Sequence, residues 1–328
     1  MTLNAQNFPS IADKTISLDG LNIAYKDEGT GTVILCLHAI GHSSKDFESL
    51  YRLDTSKYRI ISLDFPGHGN SQSFEKDVSA SNFANIVLQF IDKLNLKNII
   101  IVGNSIGGAT ALRVASNNSN IKMLSLSNPG GLDKRGILAP IFLNYMINFF
   151  QKGVKNNSSF QNKFENYYNK VLITEASEKR RNEIIKDCYK LAPLLVQAWT
   201  SFKSKEEDLR PLIANINCPV LFTWGTKDKF VQFSRNKQAI DKFKNHKLIK
   251  YRIGHTPYVE CPDLFLEDFN NYLEVKLEVE EIEEHESEFL HRIKKPFNEP
   301  GHMPVDGILS PSEINLIENW INNGYEGC

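Results

Sequence analysis

The segment Ile99-Ile100-Ile101-Val102-Gly103-Asn104-Ser105-Ile106-Gly107-Gly108-Ala109-Thr110-Ala111-Leu112 decides the fold. Its first four residues are β-branched and apolar without alternation, as a parallel strand buried on both faces requires. The small residues from Gly107 onward read as the start of a helix packed closely on that strand. Between the two, Gly103-Asn104-Ser105-Ile106-Gly107 fits G-x-S-x-G, a strand-to-helix turn sharp enough to leave the Ser105 hydroxyl exposed above the sheet. The helix start behind it aims backbone N–H groups at developing negative charge. Ser105 is therefore the candidate nucleophile. A phosphate-binding Gly-rich loop or an ordinary tight turn is the bland alternative.

Working outward, the same alternation recurs on both sides of this turn. Asp19-Gly20, between Thr15–Leu18 and Leu21–Lys26, is a hairpin signal. Val33–His38, Arg59–Phe65 and Ile121–Ser127 read as further buried strands. Phe83, Ile86, Val87, Phe90, Ile91 and Leu94 recur at helical spacing across Ser79–Leu94. Pro219–Thr223 and Lys247–Arg252 are later strands, with a helix around Phe233–Phe243 between them and another over Pro262–Tyr272. An opening hairpin followed by repeated β–α alternation predicts an α/β fold, a mostly parallel sheet with helices on both faces. The alternation breaks over residues 131–204, which are helical in period, rich in aromatics and without a strand run. That insert is expected to form a helical cap over the C-terminal ends of the strands, where open α/β sheets bind ligands. The core is thus 1–130 with 205–273. Residues 274–328 form an acidic linker, dense in glutamate from Glu274 to Glu288, and a small C-terminal helical extension.

A serine hydroxyl is a poor nucleophile until a base takes its proton, and the base must be held by a carboxylate. After a serine turn of this type the partners follow in the order acid, then histidine. Val220–Gly225 runs into a loop ending on Asp228, and Tyr251-Arg252-Ile253 into Gly254-His255-Thr256. Asp228 and His255 therefore leave strand C-terminal ends, as Ser105 does. Asp208 and Asp241 are weaker candidates because they fall in helical stretches. Among the other histidines, His38 is expected to orient a loop by hydrogen bonds and His42 to lie near enough to touch substrate. His68 serves a turn, and His246 opens a strand and is exposed. No histidines have metal-ligand spacing, so no metal or cofactor is expected. The loop His38-Ala39-Ile40-Gly41 should supply a second oxyanion donor, making the backbone N–H groups of Ile40 and Ile106 the expected pair.

Composition narrows the function classes. The 328 residues carry a formal net charge of -1 and no dominant basic face, which argues against nucleic acid. The hydrophobic fraction of 41% suits a chain with a sizeable core. Cys36, Cys188, Cys218, Cys261 and Cys328 form no CxxC pair and read as reduced thiols of a cytoplasmic protein. Residues 1–17 lack the basic-then-apolar order of a secretory signal. No run approaches the roughly 18 apolar residues of a membrane span. The longest apolar patch, Ile137–Phe150, is interrupted by Pro140, Asn144 and Asn148 and reads as a buried or amphipathic helix.

Four stretches, in this order, resemble the α/β-hydrolase superfamily over roughly Lys14 to Tyr272: His38-Ala39-Ile40-Gly41, Asp64-Phe65-Pro66-Gly67-His68-Gly69-Asn70-Ser71, Gly103-Asn104-Ser105-Ile106-Gly107-Gly108, and Trp224-Gly225 through Asp228 with Gly254-His255. The resemblance implies a serine hydrolase working through an acyl-enzyme, with Ser105, Asp228 and His255 as its triad. Ala39 stands where most relatives have glycine, adding a methyl beside the oxyanion loop. Ser105 counts against haloalkane dehalogenases and epoxide hydrolases, which use aspartate there. Gly103-Asn104-Ser105 and Asn128-Pro129-Gly130-Gly131-Leu132 resemble C–C bond hydrolases of aromatic meta-cleavage pathways. Those enzymes carry an aromatic after the histidine, where this chain has Thr256. They also use a cap arginine, a role that would fall to Arg180 or Arg181. Hydrolysis of a small carboxylic ester is the first expectation and C–C cleavage of a diketone-type substrate the second. A catalytically inactive hydrolase-fold binding module is the reading from another class, and the complete triad argues against it.

The end of the chain has a different resemblance. Glu288–Ile293, His302-Met303-Pro304 and Leu309–Gly324 are similar to the closing part of a bacterial c-type cytochrome module. The haem-attachment signature CxxCH is absent, so no covalent haem is expected and Met303 reads as structural. Ser310 as N-cap, Pro311, Glu313 and Gly324 delimit a helix. Its stripe of Ile314, Ile317, Trp320 and Ile321 should dock on the protein's own body or on a second copy.

Overall fold

All six residues of strand β5 (Ile99–Asn104) are buried, as an interior strand of a sheet covered on both faces requires. The computed structural model describes residues 9–284 except 74–76, 135 and 137, together with positions 314, 317 and 319. An opening hairpin, β1 (Lys14–Leu18) and β2 (Leu21–Gly29), precedes β3 (Thr32–Leu37) and β4 (Tyr58–Leu63). After β5 come β6 (Ile121–Ser127), β7 (Val220–Gly225) and β8 (His246–Tyr251). They form one eight-stranded sheet in the order β1-β2-β4-β3-β5-β6-β7-β8. β2 pairs antiparallel with β1 and β4, and the remaining pairs are parallel. This is the predicted architecture, a mostly parallel sheet with helices between its strands. The order turns back between β3 and β5, so their C-terminal ends bound the crevice where such sheets bind ligands.

Helices follow their sequence signals. α1 (Ala80–Lys93) starts where the Ser79 hydroxyl accepts from the Asn82 N–H at 3.1 Å, and it buries Phe83, Ile86, Val87, Phe90 and Ile91. α2 (Ile106–Ala115) leaves β5 directly. The 131–204 insert contributes α3 (Ala139–Val154), α4 (Phe160–Tyr168), α5 (Glu178–Lys186) and α6 (Cys188–Ser201). They share their own apolar cluster, centred on Phe150, Phe160, Phe164 and Leu191. Pro140 sits in the first turn of α3, where its missing N–H costs nothing, so it opens this helix instead of interrupting it. α3 is less buried than the apolar run suggests: Ile141 and Tyr145, with Leu138 just before the helix, are each more than 60% exposed.

After β7 the chain continues through α7 (Phe233–Ile240), β8, a short α8 (Pro257–Glu260) and α9 (Pro262–Glu284). It divides into two compact units, 1–266 and 267–328. That division precedes the composition change at 273/274, because α9 runs unbroken through it. Ile314, Ile317 and Asn319 are helical; Met303, Ser310, Pro311, Glu313, Trp320, Ile321 and Gly324 lie outside the described residues, as does the cytochrome-like resemblance built on them. Among the described residues no helix is long and apolar enough to cross a membrane.

Candidate active site

Ser105 occupies the turn between β5 and α2 with φ 54 and ψ -115, a left-handed conformation that a non-glycine residue adopts only when its surroundings impose it. Its N–H donates to the Ser127 carbonyl at 3.1 Å, and its own carbonyl accepts from Ala109 and Gly130. The turn depends on close backbone approach. A Cβ on Gly107 would lie 2.1 Å from the Leu37 oxygen and 2.7 Å from the His38 oxygen. Only glycine fits between α2 and the end of β3.

The loops after β7 and β8 bring Asp228 and His255 together. His255 Nδ1 lies 2.6 Å from Asp228 Oδ2, with both residues buried. The other Asp228 oxygen accepts the N–H groups of Phe230 at 2.8 Å and Val231 at 3.1 Å. Asn128 Nδ2 donates to Oδ2 at 2.7 Å, while its Oδ1 accepts from the Gly225 N–H. The carboxylate is therefore fixed on both edges and holds the imidazole proton on Nδ1, which leaves Nε2 as the basic nitrogen. Burial disfavours the imidazolium, but the Asp228 charge and its hydrogen bond outweigh burial and raise the His255 pKa above the usual histidine value.

Ser105, His255, Ile40 and Ile106 all line one cavity of about 750 Å³. Ala39, beside Ile40, lines it as well, so its methyl is accommodated in this loop. Two buried histidines shape that loop. His68 Nε2 accepts the Gly41 N–H at 3.1 Å, and His38 Nε2 accepts the Phe65 N–H at 2.9 Å. Each ring then donates from Nδ1 to a carbonyl, His68 to Pro66 and His38 to Ala39. Both are thus neutral, and burial lowers both pKa values, that of His68 to about 4. His38 orients the loop as expected, and His68 does more than serve its own turn.

The far walls of the cavity come from the insert, chiefly Phe142, Leu143, Tyr167, Tyr168, Trp199 and Phe202. His42 also lines it, with Nδ1 held by Asp46 Oδ2 at 2.5 Å. Arg180 does not. Its guanidinium pairs with Asp46 Oδ1 at 2.7 Å and donates to the Ser43 hydroxyl, which ties α5 to the loop after β3. Burial opposes the Asp46 charge, yet His42 and Arg180 hold its pKa well below the carboxylate range. Arg181 is likewise committed, to the Leu172 carbonyl at 2.7 Å. The cap arginine expected from the C–C hydrolase resemblance therefore falls on neither residue, because both guanidinia are spent on structural acceptors. Asp208 pairs with Arg210 and Asp241 with Lys237, away from His255. His246 opens β8 but is half-buried, not exposed, with Nδ1 against the Phe243 carbonyl.

Three site residues escaped the sequence reading. Asn104 donates to the His255 and Ser127 carbonyls and accepts from the Thr256 hydroxyl, joining the serine turn to the histidine loop. Asn128 orients the acid, as described. Glu260 accepts backbone N–H groups on both sides of His255. The Gly254-His255-Thr256 loop followed four residues later by a carboxylate was the only signal available for it.

A family model described as the alpha/beta hydrolase fold matches residues 32–260. A putative esterase/lipase of Mycoplasma genitalium is 25% identical over 69% of this chain and 85% of its own. A 2-hydroxy-6-oxo-6-phenylhexa-2,4-dienoate hydrolase of Comamonas testosteroni is 28% identical over 80% of this chain and 94% of its own. Among solved structures, an esterase of Exiguobacterium antarcticum superposes with a TM-score of 0.67 at 22% identity, covering 78% of this chain and 97% of the esterase.

Proposed function

Because the chain belongs to the alpha/beta hydrolase fold family, and is a hydrolase acting on a small-molecule substrate, we propose that it cleaves small carboxylic esters through an acyl-enzyme on Ser105. The observation that carries this reading is the His255–Asp228 pair at 2.6 Å on the same cavity as a serine held in a strained strand-to-helix turn. His255 Nε2 takes the Ser105 proton as the oxygen attacks the ester carbonyl. The tetrahedral oxyanion is met by the backbone N–H groups of Ile40 and Ile106. The imidazolium then protonates the leaving alcohol, and water repeats the sequence to free the acid. The Asp228 carboxylate favours the imidazolium at each step.

Ester cleavage is preferred to C–C cleavage because Arg180 and Arg181, the candidates for a cap arginine, are bound elsewhere. The separated thiols of Cys36, Cys188, Cys218 and Cys261 support a reducing, cytoplasmic setting. The test is labelling with a fluorophosphonate probe beside hydrolysis of p-nitrophenyl esters of graded chain length. Wild type should label and turn over, and Ser105→Ala should do neither. Folded wild type that is inert to both would support the binding-module reading instead. More than about one tenth of wild-type activity in Ser105→Ala would remove Ser105 from the chemistry.

A further inference from the structure

Glu260 takes no part in the proton transfers above, yet its buried carboxylate gathers three backbone N–H groups. Oε1 accepts from Ile173 at 2.6 Å and from Gly254 at 3.2 Å, and Oε2 accepts from Thr256 at 3.1 Å. Gly254 and Thr256 flank His255 on either side, whereas Ile173 belongs to the insert. The same two segments meet three more times. His255 N–H donates to the Val171 carbonyl at 2.9 Å, and the Thr174 hydroxyl donates to the Glu260 carbonyl at 3.0 Å. Gly254 lies so close that a Cβ there would stand 2.2 Å from the Val171 oxygen.

From this junction we infer that Glu260 is a positioning residue: it fastens the backbone on both sides of His255 to the Val171–Thr174 corner of the insert, so the base keeps its place only while that corner is docked. The inference rests on His255 being the base of the reading above. An ordinary cap can lift anywhere along its edge. Here one corner is bonded into the loop of His255, whereas Leu138 and Phe142 line the cavity and are exposed to solvent. Burial also pushes the Glu260 carboxyl up, against the three N–H groups that favour its charge. The ionised groups that act on His255 are Asp228, Glu260 and Asp46, all favouring the imidazolium.

The test compares Glu260→Gln, Glu260→Asp and Thr174→Val in the full chain. The readouts are the rate of fluorophosphonate labelling at Ser105 and the NMR titration of the His255 imidazole. Glutamine keeps the size but turns one acceptor into an amide that must face an N–H donor, and it removes a negative charge. Labelling should slow on the order of 10- to 100-fold, as expected for one or two buried donors left unsatisfied. The His255 titration should move to lower pH. Glu260→Asp keeps the charge and shortens the reach, so labelling should slow while the titration stays near wild type. Thr174→Val removes only the insert-side hydroxyl and should slow labelling severalfold with the titration unchanged. A folded Glu260→Gln whose labelling stays within twofold of wild type and whose His255 titration is unmoved overturns the inference. If Glu260→Gln does not fold, labelling of Thr174→Val within twofold of wild type overturns it. The titration does not depend on hydrolysis. A wild type inert to the probe would refute the proposed Ser105 nucleophile, whereas a His255 titration that still moves in Glu260→Gln would show that Glu260 acts on His255 independently of that failure.

Discussion

Asp228→Asn exchanges one carboxylate oxygen for an amide nitrogen where the four hydrogen-bond partners described for it are all donors: the Phe230 and Val231 N–H groups on one edge, Asn128 Nδ2 and His255 Nδ1 on the other. If the amide NH2 turned toward Phe230 and Val231, two backbone N–H groups would lose their acceptor, at about 1–3 kcal/mol each. The amide oxygen therefore stays on that edge and the NH2 faces His255. The imidazole must then accept at Nδ1 and carry its proton on Nε2, where it can no longer take the Ser105 proton. Loss of the working tautomer at this position lowers kcat by about 10⁴, roughly 5 kcal/mol of transition-state stabilisation. The variant also removes the charge that raises the His255 pKa. Activity requires neutral imidazole, so the residual acid limb should move to lower pH. The assay is kcat/KM for p-nitrophenyl acetate across pH 5–9, with circular dichroism as the check on folding. A folded variant that loses less than tenfold, or whose acid limb stays in place, would mean that another carboxylate holds His255.

Further outcomes follow from the packing. Gly107→Ala places a methyl against the backbone of β3, which cannot yield as a flexible side chain would; thermal melts should show a loss of about 3 kcal/mol or more, roughly 10 °C. Arg180→Met leaves Asp46 buried without its guanidinium and should cost about 3–5 kcal/mol in urea unfolding at pH 7. Because the Asp46 pKa is depressed on folding, the pair's contribution is present above the unfolded carboxyl value and fades as pH falls through the folded one, so wild type and variant should converge in acid. A difference below about 1 kcal/mol at pH 7 would contradict the ion pair's role. Truncation after Tyr272 should preserve ester hydrolysis, since every residue assigned to the chemistry precedes it; its loss in a folded, monomeric truncation would assign the tail a part in the site.

The sequence made legible whatever is periodic or local. β5, the serine turn and α2 announce themselves in fourteen consecutive residues, and the loops of Asp228 and His255 follow from strands that end just before them. The polar supports were illegible because their partners are remote. Asn104 reaches a carbonyl 151 positions away, and Arg180 reaches Asp46 across 134. An isolated asparagine or arginine gives no sign of which distant backbone it will meet. Arg180, read as a substrate-facing candidate, is instead consumed by a carboxylate that nothing in its own helix identifies. The exposure of Leu138 and Ile141 was hidden for a similar reason. An apolar run reports what a helix could bury, whereas tertiary packing decides which face it does bury.

The insert's own apolar cluster has a consequence for how such a protein can diversify. About half of the residues lining the cavity come from one uninterrupted stretch of chain, and the proposed reacting groups come from the ends of the sheet strands. Substrate preference could therefore drift by wholesale exchange of residues 131–204 while the chemistry stays untouched. Polar stitches limit that freedom, among them the Arg180–Asp46 pair and the knot of Val171, Ile173 and Thr174 around the histidine loop. A transplanted cap that carried neither would enclose a pocket yet strip Asp46 of its guanidinium and Glu260 of its insert-side N–H donor. Viable chimeras should be those that bring an arginine and a 171–174-like corner with them.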